Sequence, residues 1–254
     1  MGFMGPDGTG ATPEVLRIAM WSGPRNISTA MLRAWGNRDD TFVCDEPLYA
    51  NYLLEHGLDH PGREDILAHH DSDLERVTRW LTEDAPRGRP IFYQKHMAHH
   101  LLPGDRSWVS RLTNVFLIRD PAEMLTSLIR ILPRPTLADT GLPQQRELFD
   151  LECERLGAPP AVLDSADVLR NPRAGMNGLC RAVGADFDEA MLSWPPGRRD
   201  TDGIWAPHWY GAVEKSTGFA PYRPKNEPVP GFLNDVLDEC QRHYDHLAAH
   251  RLTF

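Results

Sequence analysis

No apolar run in this 254-residue sequence approaches the ~18 residues that a membrane-spanning helix needs. The first dozen residues, MGFMGPDGTGAT, lack the basic start and apolar core of a secretory leader. These two absences point to the cytoplasm and argue against membrane association, with residues 1–14 expected to be a disordered terminus. Cysteine is scarce and scattered: Cys44, Cys153, Cys180 and Cys240 form no CxxC or Cys/His finger spacing, so reduced structural thiols are expected. Excess positive charge is also missing. A formal net charge of −9 argues against nonspecific nucleic-acid binding, which needs a broad basic surface. An anionic ligand must then be held by a local group of donors, which makes each Arg and Lys informative.

What is present is alternation. Leu16–Trp21, Thr41–Cys44, Pro90–Lys95, Asn114–Ile118 and Ala161–Asp164 read as five short, mostly buried strands. Helical spacing follows from Ser28, over 48–56, from Leu74 to Leu81, from Pro121 through Leu132, from about Gln144 to Leu156, and from Arg173 to Val183. Ser28 is placed to cap its helix. Residues 57–72 read as a polar loop and Trp194–Pro230 as irregular, with a last helix beginning near Phe232. This pattern predicts one α/β domain over 15–254 with a mainly parallel sheet, whose ligands bind at the carboxyl ends of the strands.

Two of those ends carry anion-binding chemistry. Ser22-Gly23-Pro24-Arg25-Asn26-Ile27-Ser28-Thr29 joins the first strand to a helix start. Unpaired N–H groups and the positive end of the dipole meet a guanidinium and two hydroxyls there. The GxxxxGK[ST] pattern of ordinary ATP- and GTP-hydrolysing proteins is absent. At the fourth strand, Asn114–Ser127 reads NVFLIRDPAEMLTS, with Arg119 at the strand end and Ser127 eight residues later.

These segments resemble the sulfotransferases that use 3′-phosphoadenosine 5′-phosphosulfate (PAPS). Pro24, Arg25, Ser28 and Thr29 fall in register with that family's Pro-Lys-Ser-Gly-Thr-Thr run. Arg25 replaces Lys and Ile27 replaces Gly. Because a β-branched residue resists positive φ, Ile27 is expected to force a different loop path. The Arg119/Ser127 spacing is similar to the family's 3′-phosphate motif, and 161–194, with Asp167 and Pro172, to its later scaffold. The resemblance implies a three-layer α/β/α fold of P-loop-NTPase-like sulfotransferase architecture. It also implies PAPS as donor, 3′,5′-adenosine bisphosphate (PAP) as product and no metal. Residues 209–223 are similar to the family's late closing loop, which makes Lys215, Ser216, Thr217, Gly218 and Arg223 nucleotide-contacting candidates.

Transfer to a hydroxyl or amine of a small-molecule acceptor needs a base and cations on the migrating oxygens. Two bases compete. Glu46, in Asp45-Glu46-Pro47, matches the carbohydrate and bacterial members and needs burial to raise its pKa. His96, in Gln94-Lys95-His96, matches the cytosolic members and titrates near neutrality unaided. Lys95 is expected to contact the transferring sulfuryl oxygens, and Arg25 to stabilise the leaving phosphate. A helical face shared by His96 and His100 keeps a metal reading open, although no acidic partner stands at zinc-protease spacing. Trp194, Trp205 and Trp209 either line an acceptor pocket or pack beneath loops. A small-molecule kinase with an atypical phosphate loop and a non-catalytic nucleotide-binding relative are the alternatives. A homodimer is compatible with the sequence.

Overall fold

The computed structural model describes residues 14–83 and 86–254. The expected disordered terminus, 1–14, lies outside them except for Glu14. Five strands, β1 (Leu16–Ser22), β2 (Thr41–Asp45), β3 (Ile91–Met97), β4 (Thr113–Ile118) and β5 (Ala161–Asp164), form one sheet in the order β2-β3-β1-β4-β5. Every pairing is parallel. Parallel neighbours require crossover connections, and helices supply them. The helices are α1 (Ser28–Gly36), α2 (Tyr49–His56), α3 (Arg63–His69), α4 (Leu74–Glu83), α5 (Pro121–Leu128), α6 (Leu142–Leu156), α7 (Ser165–Arg170), α8 (Pro172–Val183), α9 (Ala206–Trp209) and α10 (Asn234–Ala248).

Strand alternation sorts the core into two layers. Ala19, Trp21, Phe92, Phe116 and Val162 point to one face, against Leu125 of α5, Leu148 of α6 and Leu247 of α10. Ile18, Met20, Tyr93, Val115 and Leu163 point to the other, against Met31 and Trp35 of α1 and Leu179 of α8. The result is the three-layer α/β/α fold that the resemblance implied, around the parallel sheet that the alternation predicted. A third cluster, built on Tyr49, Tyr52, Leu53 and Trp205, covers the carboxyl end near β2.

Several boundaries differ from the sequence reading. Residues 57–72 are not all loop, because they contain α3, which Ile66 anchors to the third cluster. Ser28 does not cap α1: Ile27 is the N-cap residue and makes no side-chain bond. The helix from Pro121 closes at Leu128, four residues early. The Trp194–Pro230 stretch contains α9, and the last helix starts at Asn234 after a single tight turn.

The sheet's central strand, β1, has β3 on one side and β4 on the other. Strand progression reverses around it, so the connections leaving β1 and β4 diverge and leave a crevice at their carboxyl ends. Gln145 of α6 fastens both strand ends, donating from Nε2 to the carbonyls of Trp21 (2.8 Å) and Leu117 (3.2 Å).

Candidate active site

The loop after β1 turns at Gly23, where the backbone of a neighbouring turn leaves no room for a side chain. A Cβ there would lie 2.4 Å from the Thr140 carbonyl oxygen. The left-handed residue of the loop is Arg25, at φ 56°, and not Ile27, which sits at φ −91° and ψ 16°. The path thus places its strain two residues before the β-branched side chain, and Ile27 needs no conformation that Gly alone favours. The twisted Arg25 reaches Ser127 Oγ with Nε at 2.9 Å, and its carbonyl accepts a short bond from Arg119 Nη1. Asn26 fixes the loop to β4, donating to the Leu117 carbonyl at 3.0 Å and accepting from the Ile27 amide at 2.8 Å. Arg25, Arg119 and Ser127, distant in sequence, therefore form one cluster.

Asp120 caps α5 through the Glu123 amide, and Pro121 fills the first turn, where no N–H is needed. This presents Ser127 toward the β1 loop. Glu123 accepts from Arg119 Nη2 at 2.8 Å, from the Tyr222 hydroxyl at 2.7 Å and from the Lys225 amide at 3.3 Å. Partial burial, followed by the charges of Arg119 and Arg130, lowers the pKa of Arg25. The same causes, in the same order, lower Lys225. Arg25, Arg119, Arg130 and Lys225 thus gather positive charge at this end of the sheet. Beside it lies a cleft of about 380 Å³, walled by Ile27, Leu169 and Ala220–Arg223 and reaching Arg119, Glu123 and Ser165. Its size suits a small organic ligand.

The late loop is used differently from expectation. Ser216 Oγ accepts from Trp194 Nε1 at 3.0 Å and donates to the Val213 carbonyl. Thr217 accepts from the Trp194 amide, and Gly218 bridges to Ser193. Ser216, Thr217 and Gly218 thus anchor the loop, Lys215 is exposed beside them, and Ala220–Arg223 line the cleft.

Two strands away, the ends of β2 and β3 hold the second half of the site. Asp45 pairs in register with Lys95, and Glu46 turns sharply at φ 44° while its amide donates to the Lys95 carbonyl at 2.9 Å. Lys95 is buried, with its three protons directed to Asp45 Oδ1 (2.9 Å), Glu46 Oε1 (2.6 Å) and the Tyr210 hydroxyl (2.6 Å). Burial alone would lower Lys95, but Asp45, Glu46 and Tyr210 outweigh it and hold the ammonium well above its ordinary value. Burial raises Glu46, against the opposing charge of Lys95 and with a further push from Asp45. The expected contact of Lys95 with sulfuryl oxygens is not what the geometry supports, because its donors are already taken.

Adjacent strand residues face opposite ways, which separates the two base candidates. Lys95 reaches Glu46, whereas His96 lies in the core, stacked on Trp21 at 4.3 Å, with Nε2 3.2 Å from Gln94 Oε1. Burial pushes its pKa down to about 3. A neutral imidazole sealed beneath Trp21 has no path to an acceptor. Nor do His96 and His100 share a helical face, since one is in β3 and the other in the turn that follows. His100 stacks between Tyr49 (4.5 Å) and Tyr52 (4.7 Å), with Nδ1 3.9 Å from Glu46 Oε2. Among the described residues, no group of three or more His, Cys, Asp or Glu is placed to hold a metal. Trp194 and Trp205 are buried under the loops, so packing accounts for both. Asp45 and Tyr210 bond to Lys95 beside Glu46, although sequence reasoning assigned neither a role, and His100, considered there only as a metal ligand, lies against Glu46.

Residues 16–250 match the family model described as a sulfotransferase domain. The chain belongs to the sulfotransferase domain family. It is 34% identical over 241 residues to branched-chain-amino-acid aminotransferase-like protein 1 of Arabidopsis thaliana, covering 94% of this chain and 42% of that protein. The corresponding protein 2 is 33% identical over 234 residues, covering 92% and 41%. The chain thus spans about two fifths of the length of these curated relatives. Among solved structures, the sulfotransferase domain from the curacin biosynthetic pathway superposes with a TM-score of 0.52 at 16% identity, covering 92% of this chain and 98% of that one. The sulfotransferase domain of the Synechococcus PCC 7002 olefin synthase gives 0.53 at 15%, covering 94% and 98%. At such identities the likeness concerns the fold. Among the described residues, no helix of this sulfotransferase-family chain is long and apolar enough to cross a membrane.

Proposed function

We propose that the protein transfers a sulfuryl group from PAPS to a hydroxyl or amine of a small-molecule acceptor, with Glu46 as general base. The observation that carries this reading is the cluster of Arg25, Arg119 and Ser127 at the carboxyl ends of β1 and β4. Two guanidiniums and a hydroxyl suit a ligand with separate anionic groups. Arg119 and Ser127 would hold the 3′-phosphate, and the cleft walled by Ile27, Leu169 and Pro221 would receive the base. The donor supplies the activated sulfur. The chain supplies position and charge.

Glu46 takes the proton as the acceptor's O–H or N–H bond breaks, and the freed electron pair forms the new bond to sulfur. The bond from sulfur to the bridging oxygen breaks, and that oxygen leaves with the phosphate beside Arg25. Before transfer, Asp45 and Glu46 share one ammonium in a buried site. Arrival of the proton makes the trio neutral, which favours the step. Arg25 stabilises charge that grows on the leaving phosphate, an interaction strongest in the transition state. The kinase alternative requires free carboxylates for Mg²⁺, whereas Asp45 and Glu46 are committed to Lys95. The aminotransferase-like description of the plant relatives concerns proteins of which this chain matches a part.

Calorimetry with 3′,5′-adenosine bisphosphate and with ATP plus Mg²⁺ tests the donor, and labelled PAPS offered to hydroxyl and amine acceptors tests the reaction. Binding of the bisphosphate, with transfer lost in Glu46→Gln while binding persists, is the expected result. Tight binding of ATP with Mg²⁺ and none of the bisphosphate overturns the reading.

A further inference from the structure

Asp45 and Glu46 are neighbours competing for one ammonium, yet they are not served equally. Asp45 Oδ1 accepts from Lys95 at 2.9 Å, and Oδ2 accepts from the Tyr210 hydroxyl at 2.6 Å and the Gly203 amide at 3.1 Å. Glu46 Oε1 accepts from Lys95 alone at hydrogen-bonding distance, because Tyr210 is 3.5 Å away. Its Oε2 faces His100 at 3.9 Å, beyond a bond. Three donors thus converge on Asp45 and one on Glu46. The difference is made by Tyr210 and the segment that delivers it.

A phenol has one proton to donate and two lone pairs to offer. Tyr210 gives the proton to Asp45 and accepts from Lys95 (2.6 Å) and Trp205 Nε1 (3.3 Å). The carrier segment, 203–210, is tied at its base by the Arg33–Asp202 pair at 2.7 Å, in which both side chains are buried. Gly203 permits the turn, since a Cβ there would lie 2.1 Å from the Trp205 ring. Trp205, Ala206 and Tyr210 face inward, and Pro207 and His208 are exposed.

We propose that Tyr210 is a positioning residue of the transfer reaction: by binding Asp45 and Lys95 together, it leaves Glu46 as the carboxylate that accepts the proton. This inference rests on Glu46 being the base. It extends the site to residues more than 150 positions downstream of β2, outside both nucleotide motifs. The segment also covers Glu46, whose side chain is 11% exposed, so the acceptor must reach the base past this strap.

The groups facing Glu46 and Tyr210 are Asp45, Lys95, His100 and Tyr49, with His70 beside Trp205. The test is carbon-13 NMR of protein labelled in glutamate side chains, with the Glu46 carboxyl assigned by its loss in Glu46→Gln. In Tyr210→Phe the titration of Glu46 moves to lower pH, because Asp45 loses a donor and takes up part of the proton while the ammonium of Lys95, freed of the phenol, bears on Glu46. In Asp45→Asn it moves to lower pH, because a like charge is lost. With acceptor and donor present, Tyr210→Phe lowers kcat about tenfold and leaves the donor KM unchanged. Unmoved Glu46 titration in Tyr210→Phe overturns the proposal, as does a raised donor KM at unchanged kcat. If Tyr210→Phe does not fold, Trp205→Phe, which removes a donor to the Tyr210 hydroxyl, replaces it in the titration. The titration needs no turnover, so failure to bind the bisphosphate refutes the donor reading and leaves this network testable.

Discussion

Replacing Lys95 with Met removes the one cation between two buried carboxylates while keeping the length of the side chain. Lys95 is 1% exposed and makes three bonds of 2.6–2.9 Å, so neither water nor a rearranged side chain compensates in place. Removing one partner of a buried ion pair costs about 3–5 kcal/mol. For a chain of this size each kcal/mol moves the melting temperature by about 2–4 °C, so Lys95→Met is expected to melt roughly 6–20 °C lower at neutral pH. The loss has a definite pH dependence. Glu46 already titrates above its ordinary 4.5, and without Lys95 the charge that restrains it disappears. A carboxyl raised in the folded state contributes most below its unfolded pKa, and that contribution fades as pH rises through the folded value. The gap between variant and wild type therefore narrows toward pH 4.5 and widens toward neutrality. Thermal melts of both proteins from pH 4.5 to 8 measure it. Arg79→Ala is the control, since the exposed Arg79–Glu75 pair is worth less than about 0.5 kcal/mol. A gap below about 1 kcal/mol that does not change with pH would falsify the buried, coupled arrangement of these three charges.

Arg119→Ala removes the donors to Arg25 and Glu123, and is expected to weaken 3′,5′-adenosine bisphosphate about 10- to 100-fold by calorimetry, the loss of one or two charged hydrogen bonds. Gly23→Ala pushes a Cβ into the Thr140 carbonyl and is expected to destabilise the fold by about 1–3 kcal/mol in urea titration, with weaker nucleotide binding. His96→Phe is expected to retain transfer activity, and inactivity with normal folding would reinstate His96 as the base. Its pH signature is separate. A histidine held at about 3 while its unfolded value is 6.5 contributes stability above pH 6.5 that is lost as pH falls toward 3. His96→Phe should therefore flatten the acid arm of the stability curve measured by urea titration between those values.

The sheet was legible because its strands are short, apolar on both faces and bounded by turn residues, which is what burial in a parallel sheet demands. Less visible was α3, whose REDILAH sequence buries only Ile66 and gives a weak periodic signal. Arg119 and Ser127 could be read from their spacing, but their meeting with Arg25 depends on a left-handed residue that no pattern announces. Concern over Ile27 followed correctly from β-branched sterics and was misplaced by two positions. Strand alternation puts Lys95 and His96 on opposite faces, yet the sequence alone did not say which face holds the site. Tyr210 joins Lys95 across 115 positions, a contact only the packed third cluster makes.

Among the described residues, the non-glycine positions with positive φ are Arg25, Glu46 and Arg87, and the first two are the proposed phosphate-gripping cation and the base. Glycine or asparagine would hold either backbone turn with less strain. Selection for heat resistance alone would consequently tend to erase the two side chains to which the proposed reaction assigns the cation and the base. A lineage freed from its acceptor would drift first at positions 25 and 46, retaining a sound fold around a silent site. Under the proposed roles, relatives carrying Gly or Asn at both positions are expected to keep the fold and lack turnover.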